Sequence, residues 1–316
     1  MSYLPCELHC HTVNSDGSFT TKELLQRAAD DHLALIALTD HNTVSGCAEL
    51  DDSITPAIRG IEWTTYFGHM LVLGAKSFVD WRDANPDNID DKINQIKEAG
   101  GIVGVAHPFQ LGSPMCTGGR WEFNVRNWRN VDYIEVWHNA FSFDNYENDR
   151  ALAFWTELLD KGYHIACTYG RDWHRDEARG HYGCTYLDID GEINEQNAIK
   201  AIRMGKTVAS TGAKFFFRVH QKGNTYSIGE TMKKGNAVFS FFIDLHSREK
   251  NSGNEEVEHN IIKLITNGGE CVMQTAVSER HVHINLKPNH WYRAELWGKV
   301  NGVKKILAVT SPIYTA

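Results

Sequence analysis

The stretch Glu7-Leu8-His9-Cys10-His11-Thr12, with Asp16 five residues beyond His11, decides how this chain is read. It reads as a β-strand running out into a short polar loop, Val13 to Thr20. Alternate side chains of a strand leave opposite faces, so His9 and His11 share one face while Leu8 and Cys10 take the other. Two imidazoles on one face at a strand end can hold a metal ion between them. Two histidines on a solvated face would explain the same pair, so the deciding question is whether other strands end in suitable partners.

They do, repeatedly. Ala34 to Thr39 is a continuous apolar run, the pattern of a parallel strand buried on both faces, and it ends in Asp40-His41-Asn42. Ala57 to Thr65 carries Glu62 near its end, and Gly68-His69-Met70-Leu71-Val72-Leu73-Gly74 is a strand opened by a histidine. Ile102 to Ala106 ends in His107-Pro108, and Val131 to Val136 in Trp137-His138-Asn139. His164 to Tyr169 ends in Gly170-Arg171-Asp172-Trp173-His174. Helices lie between. Thr20 and Glu23 form a capping box before the apolar stripe Leu24, Leu25, Ala28 and Ala29. A helix-like piece spans Ser45 to Asp51. Ile89, Ile93 and Ile96 mark a helix over 87–100, and further helices run from Tyr146 to Lys161 and Asn194 to Met204, before a strand at Thr207 to Ser210. Residues 109–130 form a long loop of the kind used as a lid or binding loop. Strands alternating with helices over about 210 residues predict an α/β fold with a parallel sheet. Polar groups recurring at strand ends fit a barrel, where the reactive residues sit at the C-terminal rim.

From about Lys214 the texture changes. Short strands such as Phe215 to Val219, Val238 to Ile243, Ile261 to Ile265, His281 to Leu286 and Trp291 to Trp297 are separated by turns such as Asn267-Gly268-Gly269. Residues 214–316 are therefore expected to form a C-terminal all-β, sandwich-like domain beside an α/β domain at 1–213. His220, His246, His259, His281, His283 and His290 follow no ligand pattern there and are assigned to surface or packing.

Composition sets outer bounds. The chain has 316 residues, 42% hydrophobic and 23% charged, with a formal net charge of −8. That balance opposes a general nucleic-acid binder, and no stable nucleic-acid complex is expected. No apolar run reaches membrane-span length, and Met1 to Leu8 has no signal-peptide character. The seven cysteines form no C-x-x-C pair, which suits free thiols and a cytoplasmic setting; a leader outside this sequence stays open.

The candidate ligands are His9, His11, Asp16, His41, Glu62, His69, His107, Asp172 and His174. Imidazole and carboxylate donors favour Zn, Mn or Fe over Ca or Mg. Nine ligands, with one carboxylate bridging, suit two or three divalent ions. Such a cluster can activate water and neutralise a phosphoryl group.

These motifs, in this order along residues 6–175, resemble those of the PHP (polymerase and histidinol phosphatase) superfamily. The β-rich tail, with Asn267-Gly268-Gly269 and Thr310-Ser311-Pro312-Ile313-Tyr314, resembles CehA/McbA-type members. The resemblance implies a distorted seven-stranded TIM-like (β/α)7 barrel, a trinuclear metal site and phosphoester hydrolysis. It places His9, His11, Glu62 and Asp172 on a first ion. Glu62 bridges to a second ion held by His69 and His107, with His138 competing for that place. Asp16, His41 and His174 hold a third. The expected reaction is attack of a metal-bridging hydroxide on a phosphomonoester or phosphodiester, with a small phosphorylated substrate, nucleotides included. His138 is the candidate general acid, and Arg120, Arg126 and Arg171 are candidate phosphate-orienting groups, Arg171 standing where the family usually has a small residue. Two other readings stay open: an amidohydrolase or carbamate-ester hydrolase on the same metals, and a carbohydrate- or partner-binding protein using Trp291 and Trp297.

Overall fold

The computed structural model describes residues 2–111, 119–139, 146–176, 183–248 and 256–316. Cys116 and the middle of the long loop fall outside them; the other six cysteines are free thiols. The first part of the chain runs β1 (Ser2–Cys10), α1 (Thr21–Asp30), β2 (Leu35–Leu38), β3 (Ala57–Thr65), β4 (Gly68–Leu73), α2 (Ile89–Glu98), β5 (Ile102–Val105), β6 (Tyr133–His138), α3 (Tyr146–Asp160), β7 (Ala166–Gly170), β8 (Cys184–Ile189), α4 (Glu195–Arg203) and β9 (Thr207–Ser210). The piece read as helix-like after β2 is a 3-10 turn, Ser45–Glu49.

The strands make a mixed α/β sheet rather than a wholly parallel one. β1, β2 and β3 pair in parallel, as do β5, β6 and β7. β4 is antiparallel to both β3 and β5. Only Tyr66 and Phe67 separate β3 from β4, and two residues close a hairpin but cannot make the crossover that parallel pairing needs. β8, which the sequence reading passed over, runs antiparallel between β1 and β9. β1 and β7 share no ladder among the described residues. Just beyond them a single parallel bridge joins the two ends, with His11 N–H donating to Trp173 O at 2.9 Å and Trp173 N–H to His9 O at 3.0 Å.

Side-chain size dictates what fills the interior. Leu35, Ala37, Ile58, Leu71, Leu73, Ile102 and Tyr133 form one buried cluster, and α4 adds Ala198, Ile199 and Ile202 to it. α4 sits at the end where β3 begins, because the Arg59 N–H donates to Glu195 and Gly74 lies directly against Ile199. The opposite end is left for polar groups. A second cluster packs α2 and α3 on the outside, through Ile89, Ile93, Ile96, Trp155 and Leu158. α1 begins at the expected capping box: Thr20 accepts from Glu23 N–H, and the Glu23 carboxylate accepts from Thr20 N–H.

The C-terminal residues are β-rich, as read. They form β10 (Lys214–Gln221), β11 (Asn224–Ser227), β12 (Thr231–Met232), β13 (Gly235–Asp244), β14 (Val257–Thr266), β15 (Glu270–Ala276), β16 (His281–Leu286), β17 (Trp291–Val300), β18 (Val303–Thr310) and β19 (Ile313–Thr315). β11-β10-β13-β16 is a separate antiparallel sheet. Its buried face, Phe215, Phe217, Val219, Phe239 and Phe241, packs with Ile262, Leu264, Ala294 and Leu296. β18 pairs with β9, so the large sheet continues from the first part of the chain into this part. Trp291 is not exposed: it is buried, and its indole N–H donates to Asp160. One face of Trp297 is covered by Lys263, 3.8 Å from the ring centroid. Among the described residues no helix is long and apolar enough to cross a membrane.

Gly104 on β5 is required by packing. A Cβ there would lie 2.0 Å from the Tyr133 ring. Gly104→Ala is expected to destabilise the protein by about 1–3 kcal/mol through overpacking. Urea unfolding of Gly104→Ala alone and combined with Tyr133→Ala checks this: the paired truncation should recover part of the loss.

Candidate metal centre

β1, β2, β3, β5, β6 and β7 all end at one edge of the sheet. β4 is antiparallel and starts there, so His69, one residue into it, arrives at the same edge as Glu62 on β3. His9 and His11 come from the end of β1, and His41 follows β2. His107 follows β5, His138 closes β6, and Asp172 and His174 follow β7. Several of these strand ends have left-handed backbone at non-glycine residues: Asn42 (φ 56°), His107 (φ 25°), Asn139 (φ 74°) and Asp172 (φ 54°). Such strain gathers where a structure aims side chains at a function.

The β1 pattern needs one correction. His9 and His11 do converge, but Leu8 and Cys10 do not share a packing partner. Leu8 joins the inner cluster and Cys10 the α1 side. The β1–β2 register shifts between Glu7 and Cys10, which breaks the strict alternation.

Glu62 is the hub. It is fully buried, and five imidazoles approach its carboxylate. His41 Nδ1 and His9 and His11 Nε2 lie 2.7, 3.3 and 3.4 Å from Oε2. His69 Nδ1 and His107 Nε2 lie 2.9 and 3.1 Å from Oε1. Asp172 Oδ1 is 3.3 Å from His9 Nε2 and 3.0 Å from His11 Nε2. Asp16 Oδ1 is 3.1 Å from His174 Nε2 and 3.4 Å from His41 Nε2. Three overlapping groups have ligand atoms within 4.8 Å of one another: His9, His11, Glu62, Asp172; His11, Asp16, His41, His174; and His41, Glu62, His69. His107 falls outside the third group and joins through Glu62 alone.

The donor set fits metal ions. His9 Nε2, His11 Nε2 and Asp172 Oδ1 are buried and make no hydrogen bond, although they face one another. Buried polar atoms without partners are costly, and a cation among them would satisfy all three together. The charges point the same way. Burial alone would raise Glu62 and Asp172, but His9 and the neighbouring imidazoles hold both well below the usual carboxylate range. Burial alone would lower His9, yet Glu135, Glu62 and Asp172 raise it well above the usual imidazole range. His174, drawn down by burial, is carried up to about 8 by Asp16 and Asp172. For His11 and His69 burial prevails and lowers the ring.

Behind the ligands lies a polar layer absent from the sequence reading. Glu135 on β6 accepts from His9 Nδ1 and from His107 N–H, both at 3.0 Å. Glu7 accepts from the N–H groups of His9 and Arg171. Asp40 accepts from Thr12 N–H, Thr12 Oγ1 and Ser15 Oγ, which holds the loop carrying Asp16. The signal available was an acid inside an apolar strand, as in Tyr133-Ile134-Glu135-Val136. A buried carboxylate at such a position needs several donors, and a ligand-bearing rim supplies them.

The structure does not bring Arg171 into the site. Asp172 points at His9 and His11, and the preceding residue leaves the other way. The Arg171 guanidinium pairs with Asp31 at 2.8 Å and stacks on Trp173, 3.7 Å from its ring centroid. Its assignment to catalysis and to phosphate binding is therefore corrected to a packing role. His138 does reach the rim, with its ring centroid 5.4 Å from that of His107. Its Nδ1 faces Asn148 Oδ1 at 3.1 Å, and burial lowers its pKa. That state favours a neutral ring, with Nε2 4.0 Å from Glu147 Oε2, a ligand's form more than an acid's. Arg120 lies at the rim beside the His107 loop, its backbone bridged to Phe109. Arg126 is exposed, with its N–H held by Asp90 at the start of α2.

A family model and three known proteins resemble this chain in part or in whole. The PHP domain family model matches residues 7–100. A 3',5'-nucleoside bisphosphate phosphatase from Chromobacterium violaceum is 37% identical over 76 residues, 22% of this chain and 27% of that protein. An uncharacterized protein from Methanocaldococcus jannaschii is 27% identical over 186 residues, 54% of this chain and 100% of that protein. The chain thus spans about a quarter of the first relative's length and all of the second's. A crystal structure of a two-domain protein containing a predicted PHP-like metal-dependent phosphoesterase, from Bacteroides vulgatus, superposes with a TM-score of 0.53. It covers 98% of this chain and 95% of its own at 17% identity, a likeness of fold alone. The stretch that matches the PHP domain family begins at the first ligand strand and reaches through Glu62 and His69, so residues 7–100 are similar to a PHP domain.

Proposed function

We propose that the protein is a metal-dependent phosphoesterase acting on a small phosphorylated substrate. The observation that carries this reading is the buried Glu62 carboxylate approached through both oxygens by five histidines. A single bridging acid among neutral nitrogen donors suits closely spaced transition ions, Zn, Mn or Fe. His9, His11, Glu62 and Asp172 would hold one ion and Asp16, His41 and His174 another. Glu62 with His69 and His107 would hold a third, and His138 stands beside His107 as a further donor. Bound there, the ions supply Lewis acidity and water activation near neutral pH. The chain does the rest: burial keeps bulk water off His9, His11 and Glu62, and the outer carboxylates orient the rings. Arg120, bridged through its backbone to Phe109 two residues beyond His107, is our candidate to meet a phosphate, whose geometry guanidinium matches. We read β1 to β7 as a distorted TIM-like barrel, joined at its rim by the Cys10–Trp173 bridge. In the same reading, residues 1–213 are the catalytic unit and 214–316 a sandwich-like accessory unit.

Protein purified without added metal and dialysed should retain two to three equivalents of transition metal and hydrolyse members of a phosphomonoester and phosphodiester panel. Glu62→Ala should lose the shared ions and at least about 100-fold of the activity. Less than one equivalent in the wild type would sink the reading, and full metal with no phosphate release from the panel would redirect it to C–N or carboxylic ester bonds.

Asp16 is the most exposed ligand, its side chain 61% accessible. Asp16→Ala should therefore lose one equivalent while the ions on Glu62 stay, as read by elemental analysis of the dialysed variant.

His174, at about 8, is mostly protonated at neutral pH in the metal-free protein. A ligand nitrogen must shed its proton to bind, and His9 is raised as well, so loading should release protons at pH 7 and affinity should rise with pH through about 8. Calorimetric titration in buffers of different ionisation heat measures this; heats independent of buffer would contradict it.

A further inference from the structure

Glu135 lies beneath the ligands, 1% exposed, and its two oxygens have different tasks. Oε1 is 3.0 Å from His9 Nδ1, and Oε2 accepts from the His107 backbone N–H at 3.0 Å. Both Glu135 oxygens serve as acceptors in this arrangement, so the proton of that contact belongs on His9 Nδ1. In the neutral ring the lone pair is then on Nε2, the atom turned toward Glu62, at 3.3 Å, and Asp172, at 3.3 Å. The second bond acts on backbone rather than on a ring. It ties down His107 at a residue whose φ of 25° is unfavourable for a side chain larger than glycine.

A separate observation concerns Gly170, which ends β7. Its φ is not positive, so no backbone conformation demands glycine there. A Cβ at Gly170 would instead lie 2.1 Å from Glu135 Oε1 and 3.2 Å from His9 Cβ. The missing side chain is the space that Glu135 occupies on its way to His9.

We propose that Glu135 is a positioning residue of this site, holding His9 in the tautomer that presents Nε2 and pinning the His107 backbone, and that Gly170 is glycine in order to admit it. The proposal rests on the metal-centre reading above. A glutamine cannot replace the carboxylate, although it has the same shape. With its oxygen toward His9, its NH2 faces the His107 N–H, donor against donor. With its oxygen toward His107, its NH2 faces His9 Nδ1 and requires the proton on Nε2, which removes the ligand lone pair.

The test uses Glu135→Gln in the full chain with two readouts. The first is the His9 tautomer in metal-stripped protein at a pH alkaline enough to leave the ring neutral, read from long-range 15N–1H correlations of 15N-histidine-labelled protein and assigned by loss of the signal in His9→Ala. Wild type should show an Nδ1–H that is lost or depopulated in Glu135→Gln. The second is Zn affinity by competition with a chelator, which should fall about 10–100-fold, the usual cost of losing an outer partner of a metal-binding histidine. Gly170→Ala leaves Glu135 in the chain but displaces it, and should lower affinity in the same direction; it serves as the independent arm if Glu135→Gln does not fold. Wild-type tautomer and wild-type affinity in Glu135→Gln, or wild-type affinity in a folded Gly170→Ala, would overturn the positioning role while leaving the metal centre standing. A wild-type protein that takes up no Zn would overturn the metal centre itself, and this proposal with it.

Discussion

A single buried carboxylate constrains this structure more than any other group. Glu62 has no solvent exposure, and burying a charge without compensation is prohibitively expensive. Its compensation comes from histidines on four other chain segments: the end of β1, the turn after β2, the start of β4 and the turn after β5. Each must arrive at the same edge of the sheet. Parallel β1, β2, β3 and β5 satisfy that by ending together, and β4 satisfies it by running the opposite way and starting there. The hairpin between β3 and β4 is thus part of the site's construction: it sets Glu62 and His69 side by side across one pair of strands.

The outer layer shows how the ligands keep their aim. Glu135 and Glu7 bond backbone and ring atoms of the ligand-bearing stretches, and Asp40 gathers Thr12 and Ser15. The bonds of Glu135 and Glu7 are buried within the sheet, away from water. Asp16 is different. It sits on a loop, is largely exposed, and meets two histidines from separate strand ends. One end of the cluster is therefore buried, the other open to solvent.

The β-rich residues are not appended loosely. Thr207 on β9 donates to Cys167 O and contacts Ser311, whose hydroxyl accepts from Cys167 N–H. Ser311, beyond β18, thereby reaches β7, the strand that leads into Asp172 and His174. β18 pairs with β9 along the sheet. The two parts of the chain share a hydrogen-bonded framework, and the last residues brace the strand that carries two ligands.

Much of the site was legible because its physics is local. A histidine or acid at the end of an apolar run is visible in the chain, and the recurrence of that pattern at His9, His41, Glu62, His107 and Asp172 identified the rim by itself. The amphipathic helices, their caps and the switch to short strands near Lys214 were readable for the same reason: period and capping are properties of neighbouring residues. What only the tertiary structure decided depended on residues distant in sequence. The direction of β4, the place of β8 and the pairing of β18 with β9 follow from which edges meet. Arg171 reads as a ligand's neighbour, but the alternation at the end of β7 and the pull of Asp31 and Trp173 send it away. Trp291 looks like a surface aromatic until Asp160 and the packed sheet enclose it. Glu135 reads as a stray acid in a strand until the fold sets it under His9 and His107, because a buried carboxylate acquires its meaning from the donors that the fold brings to it.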